Sequence, residues 1–154
     1  MKALKLAVAE SSAILRCGII ALLHRMPAAN VDILEIGDIS QLAAQLSRHR
    51  PDVLIVNPAS LGLYTPQQLR AQTGCEGMRC LALQLSVTDA ATLSTYDEVL
   101  SIYDSEECVR QKIVHPAEEA PREERQEPLS VREREIVVCI VKGMTNKQIA
   151  DALC

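Results

Sequence analysis

The sequence predicts an α/β protein: a parallel five-stranded sheet covered by helices on both faces, followed by a small all-α element. Three observations carry that prediction. Short apolar runs alternate with segments of helical periodicity from the N-terminus to about residue 113. One of the runs, Val53-Leu54-Ile55-Val56, is unbroken, as in a strand buried on both faces. Beyond residue 128 the short runs stop, and two segments with helix-capping signals take over.

The elements follow in order. "LKLAVA" (4–9) reads as a strand. Residues 12–25 carry Ile14, Leu15, Ile19, Leu22 and Leu23 at helical spacing, and Pro27 ends that helix. Cys17 and Ile20 widen its apolar stripe. "VDILEI" (31–36) is a strand. Asp38 is expected to cap the next helix, with Gln41 at the capping-box position and Ile39, Leu42, Ala43 and Leu46 on one face. Residues 53–57 form the third strand. Thr65-Pro66, a cap followed by Pro at the first helical position, opens a helix to about Thr73. "RCLALQ" (79–84) is a strand, residues 89–95 a short weak helix, and "EVLSIY" (98–103) a strand. Asp104 with Glu107 is expected to cap a last helix ending at Ile113. Five such βα units imply right-handed crossovers and the strand order 2-1-3-4-5 of flavodoxin-like folds.

Residues 114–128, "VHPAEEAPREERQEP", hold three Pro and five Glu and almost no large apolar residue. They read as a solvated linker. From Leu129 the pattern changes. Ser130 with Glu133 makes a capping box ahead of the helix 131–142, and Gly143 stands at its C′ position. Thr145 with Gln148 makes a second capping box, opening "NKQIADALC". Two helices joined by a tight glycine turn resemble the start of a helix-turn-helix. Ile136, Cys139 and Ile140 form an apolar stripe on the first helix. Ile149, Ala152 and Leu153 form one on the second, and both stripes are expected to be covered.

Composition narrows the function. The chain has 154 residues, 48% apolar but only 2% aromatic, with a net charge of −4. Few aromatics argue against stacking sites for single-stranded nucleic acid, and DNA contact would have to be local. The six cysteines show no C-x-x-C pair and read as small core residues in a reducing compartment. No run approaches the roughly 18 apolar residues of a membrane span, and no signal peptide is visible, so a cytoplasmic protein is expected. There is no Gly-rich phosphate loop and no nucleophile with a placed base. The residues therefore suggest no enzyme, no cofactor and no resident metal.

"LSVREREIVVCIVKGMTNKQIADAL" is very similar to the opening of the LuxR-type DNA-binding domain, and the five βα units resemble the receiver domain of a response regulator of that class. The resemblance implies residues 1–113 as receiver, 114–128 as linker and 129–154 as the first part of a helix-turn-helix whose recognition helix is absent from this sequence. It further implies that strand 3 should end in a phosphoacceptor Asp, where this chain has Asn57. The acidic pair after strand 1 falls on Glu10 and Ser11. The switch hydroxyl falls on Gln84, with Leu85 where a small residue is usual and Ser86 two positions on. The Lys at the end of strand 5 falls on Tyr103. An amide cannot form an acyl phosphate, and the site usually binds Mg²⁺ through three carboxylates of which one remains.

Plain structural roles stand beside these readings. Asn57 would be a turn residue bonding the backbone near Pro58, Glu10 a solvated or helix-capping carboxylate, Gln84 a filler of the emptied pocket, and Tyr103 a ring packed on the sheet end with its hydroxyl in water. Arg132, Arg134, Thr145, Asn146 and Lys147 could approach DNA phosphates, or with Glu133 and Glu135 form a solvated face. The leading expectation is a DNA-binding regulator with a phosphorylation-independent pseudo-receiver, a homodimer that binds DNA if the protein continues past Cys154. The alternative is an interaction or dimerisation module that does not bind DNA.

Overall fold

The computed structural model describes residues 2–26, 30–114 and 131–153. The chain divides into two compact units, Met1–Pro116 and Ala117–Cys154. Val114, the first residue assigned to the linker, belongs to the last helix of the first unit; residues 115–128, Leu129 and the Ser130 side of the first capping box lie outside the described residues.

In the first unit five parallel strands, β1 (Leu4–Ala9), β2 (Val31–Ile36), β3 (Val53–Val56), β4 (Arg79–Gln84) and β5 (Glu98–Ser101), form one sheet in the order β2-β1-β3-β4-β5. Register puts Ala9 beside both Ile36 and Val56, and Val56 beside Ala82. The helices are α1 (Ala13–His24), α2 (Leu42–His49), α3 (Pro58–Leu61), α4 (Pro66–Thr73), α5 (Ala90–Leu93) and α6 (Glu106–Val114).

The unbroken run in β3 is explained by two cores. Successive side chains of a strand point to opposite faces. Leu54 and Val56 join Ala7, Ala9, Cys80 and Ala82 against Leu42 and Leu46 of α2 and Leu69 of α4. Val53 and Ile55 join Leu6, Val8, Leu81 and Leu83 against Leu23 of α1 and Ile113 of α6. A strand facing two apolar layers has no polar face to alternate with, and each fully buried Leu or Ile contributes about 1.5–3 kcal/mol.

Several boundaries depart from expectation, each for a local reason. The segment after β2 opens with a 3₁₀ turn, Ile39–Gln41, and Asp38 accepts from the Ser40 amide at 3.0 Å, so no Asp38–Gln41 capping box forms. β3 ends at Val56, because Asn57 turns back to cap α3, a short element the hydrophobic pattern does not reveal. β5 ends at Ser101 and not at Tyr103. The Ser101 amide donates to Asp104 Oδ2 at 2.9 Å, and the Asp104 amide donates to the Ser101 carbonyl at 3.0 Å, which closes a turn. With Asp104 engaged there, Ser105 and not Asp104 meets the start of α6, its hydroxyl accepting from the Cys108 amide at 3.2 Å. Thr65 and Gln68 make a complete capping box on α4. Cys75 and Cys80 are buried as core residues, whereas Cys17 is exposed. Burial pushes the Cys80 thiol up to about 11, so it stays protonated at neutral pH.

The second unit holds α7 (Val131–Val141) and α8 (Asn146–Leu153). Gly143 joins them at φ +74°. The Met144 amide donates to the Cys139 carbonyl at 3.1 Å, the long bond of a Schellman motif. The Thr145–Gln148 box closes with bonds of 2.8 and 3.3 Å. The expectation of covered stripes is not met among the described residues. Ile136 and Ile140 are exposed, Ile149 and Leu153 are only half-buried, and no described residue of either helix is buried. Two helices offer each other one face apiece, too little for a core.

Candidate functional site

In parallel sheets, chemistry gathers where the strands end. β1 delivers Glu10 there. The Glu10 amide still donates to the Ile36 carbonyl, at 3.1 Å, so the residue stays inside the sheet and is only 3% exposed. Its Oε1 accepts from the Ser12 amide at 2.8 Å, with the Ser11 hydroxyl more distant at 3.5 Å. Its Oε2 is buried without a hydrogen-bond partner. Ser12 in turn caps α1. Glu10 is thus neither solvated nor itself the cap of α1: it holds the amide of the capping Ser12 and keeps one lone oxygen besides.

One residue the sequence reading did not single out governs this corner. Arg16, one turn into α1, donates from Nη1 to the Glu10 carbonyl at 2.8 Å and to the Ser11 carbonyl at 3.4 Å. Its Nε pairs with Glu35 Oε1, on β2, at 2.6 Å. The guanidinium lies 3.0 Å from where a Cβ would stand on Gly37, so that glycine leaves it room. The Arg16 side chain is 16% exposed. A single Arg among the apolar residues of α1 is the signal that could have found it.

Asn57 leaves β3 beside Glu10, since Ala9 and Val56 are register partners. Its Oδ1 accepts from the Ala59 amide at 3.0 Å, and Pro58 follows as the first residue of α3. The amide bonds nearby backbone, as its plain reading had it, but does so as the cap of a short helix that reading did not include. Gln84 ends β4 opposite Ser101 and is half-buried, while Ser86 is exposed. Tyr103 departs from expectation. The residue is 91% exposed, because the turn after Ser101 swings it off the sheet end. The cation at the end of β5 comes instead from Lys112 of α6, which donates to the Val99 carbonyl at 2.7 Å and to Asp104 Oδ2 at 2.8 Å. Partial burial raises the Asp104 carboxyl, but the Lys112 bond and charge and the Ser101 amide outweigh it and hold it below its ordinary value.

No hydrogen bond joins Glu10, Asn57, Gln84 and Tyr103 to one another among the described residues. The donor set fits Mg²⁺ poorly. Glu10 offers one carboxylate, Ser11 a hydroxyl, and Asn57 an amide oxygen already bonded to the backbone. Such an ion wants charged oxygens in octahedral array. Among the described residues, no three His, Cys, Asp or Glu gather as a metal-holding cluster.

In the second unit, Arg132 and Arg134 lie on α7, and Arg132 Nη2 donates to the Leu153 carbonyl at 3.3 Å. Thr145 caps α8, whose first residues are Asn146 and Lys147, and all five side chains named for phosphate contact lie on exposed residues. No helix among the described residues is long and apolar enough to cross a membrane.

Comparison with known proteins agrees with both units. Residues 127–154 match the family of bacterial regulatory proteins, luxR family. The first unit is similar in structure to the signal receiver domain of the putative response regulator NarL from Mycobacterium tuberculosis, with 16% identity and a TM-score of 0.59 over 73% of this chain and 94% of that one. The Vibrio cholerae chemotaxis protein CheY4 aligns with 15% identity and a TM-score of 0.56 over 73% of this chain and 100% of that one. A LuxR-family DNA-binding response regulator from Staphylococcus aureus aligns with 13% identity and a TM-score of 0.54 over 71% and 94%. At such identities the likeness is one of fold. No curated protein matches the chain.

Proposed function

We propose that this chain, which joins a receiver fold to a LuxR-family segment, is a DNA-binding transcriptional regulator whose receiver-like domain works without phosphorylation. The observation that carries the reading is Asn57: an amide at the end of β3, with its oxygen committed to the Ala59 amide. An amide offers no carboxylate to attack a phosphoryl donor. Ser11, Leu85 and Tyr103 each stand where the resemblance implies a residue that phosphorylation uses, and Arg16 clamps the loop that would hold the metal. Arg132, Arg134, Thr145, Asn146 and Lys147 are proposed to meet DNA phosphates, with the α8 N-terminus adding its dipole. The division into receiver (1–113), linker (114–128) and helix-turn-helix start (129–154), a homodimer and a cytoplasmic location belong to the same proposal.

The test is acetyl phosphate with Mg²⁺ followed by intact mass, and DNA binding by the full-length gene product with and without that donor. The expected result is no acid-labile adduct and donor-independent DNA binding. A stoichiometric gain of one phosphoryl group overturns the reading. A second reading, an interaction module without DNA binding, draws on the exposed apolar residues Val137, Ile140 and Val141 of α7. Absence of DNA binding by the full-length product selects it.

A further inference from the structure

We infer that the first unit contains a binding site for a small, mostly apolar molecule carrying one hydroxyl or amine group, held between α1 and α6. A cavity of about 240 Å³ lies there. Its floor is the sheet itself: Ile55, Leu83 and Leu100, all buried, from β3, β4 and β5. Its mouth is flanked by Ile14, 86% exposed, and by Ile102.

Depth and size choose the occupant. The cavity reaches the strands, so it is more than a surface face of α1. An α-helix with its side chains is about 10 Å across, too thick to enter such a space. A sealed apolar cavity of about 150 Å³ admits benzene; this cleft is larger and half open to solvent, with room for about ten heavy atoms. Gly18 lines it without a side chain. It sits in the middle of α1, where glycine is a poor helix former, and an added Cβ there would meet nothing within 4 Å. Polar groups converge at one end only, where Ser101 and Asp104 join the lining. The Ser101 hydroxyl accepts from the Tyr103 amide at 3.2 Å, and Asp104 is held in place by Lys112. A ligand hydroxyl or amine would donate to this carboxylate end while its apolar body lies on the sheet, the usual composition of a small-molecule site.

Occupancy would tie α1 to the β5–α6 turn and bias the domain toward one conformation. That regulatory meaning rests on the loss of phosphate control proposed above, whereas the binding does not. The test uses ¹⁵N-labelled full chain titrated with phenol, and with benzene as the analogue lacking the hydroxyl. Phenol is expected to give saturable shifts at the amides of Gly18, Leu83 and Ser101 with a Kd of about 10 mM or tighter, and benzene to bind several-fold more weakly. Gly18→Leu, which fills the space, should weaken phenol by about tenfold or more. If that variant fails to fold, Leu85→Phe fills the cavity from the opposite wall. The inference is overturned by the absence of saturable shifts, by unchanged affinity in a folded filling variant, by equal affinity for benzene, or by cavity shifts that follow protein concentration alone, which would put a second copy there. Because phosphoryl labelling is read by mass on the same protein, failure of ligand binding and failure of the pseudo-receiver reading are told apart.

Discussion

The α/β unit and the α7–α8 unit are built with the same local grammar but end in opposite states. The Thr65–Gln68 box that starts α4 is repeated as the Thr145–Gln148 box that starts α8. Gly74 and Gly143 both close a helix in the left-handed region. Yet among the described residues every buried apolar side chain belongs to the first unit. Between α7 and α8 an open groove remains, lined by Val138, Cys139, Met144 and Leu153, with Arg134, Glu135 and Lys142 also around it. Capping satisfies backbone groups within one turn and needs no neighbour. Burial needs a second layer, which the sheet supplies to six helices and the helix pair does not supply to itself.

The largest effect that would break this contrast is in the core. Leu54→Ala, at a fully buried site, should cost about 2–5 kcal/mol in urea unfolding. Ile140→Ala, at an exposed site, should stay within about 0.5 kcal/mol. Hydrogen exchange should agree, with β1 and β3 amides far slower than those of α7. Comparable costs at both sites would mean that α7 packs on a partner in solution.

A middle-sized effect concerns polar groups held inside the first unit. Arg16→Met keeps the length of the side chain but loses the bonds to the Glu10 and Ser11 carbonyls and to Glu35. The expected cost is about 1–2 kcal/mol, discounted because Glu35 is half exposed. No change in the urea midpoint would show that the β1–α1 loop is held by Glu10 and Ser12 alone.

The smallest effect is acid sensitivity at the β5–α6 turn. The folded-state value of Asp104 lies below its unfolded value of about 3.9. Its contribution is therefore present above the unfolded value and lost as pH falls through the lower, folded one. Urea midpoints measured from pH 6 down to pH 3 should fall less in Asp104→Asn than in the parent. An equal fall would assign the acid sensitivity to other carboxylates.

Much of the fold was legible in the sequence because its signals are local. Apolar runs of strand length and helical periodicity placed all five strands, and β1, β2 and β4 at their observed ends. Caps placed α4 and α8. The order β2-β1-β3-β4-β5 is the flavodoxin-like one expected of five βα units. The site was legible only as residue identities. That Asn57 is an amide, or that β1 is followed by Glu10 and Ser11, needs no coordinates.

Tertiary structure decided what those residues touch. Arg16 reaches Glu35 across 19 positions, and Lys112 reaches the Val99 carbonyl across 13. Neither pairing has a periodicity to read, because a long cationic side chain bonds whichever acceptor the fold brings within its length. Tyr103 was misplaced for the same reason: whether β5 continues past Ser101 depends on the carboxylate of Asp104, three residues on, folding back onto the strand. Local sequence determines the elements because caps, periods and turns act over a few residues. Which side chains meet at the strand ends, and which apolar faces find a cover, depends on distances that only the packed sheet sets.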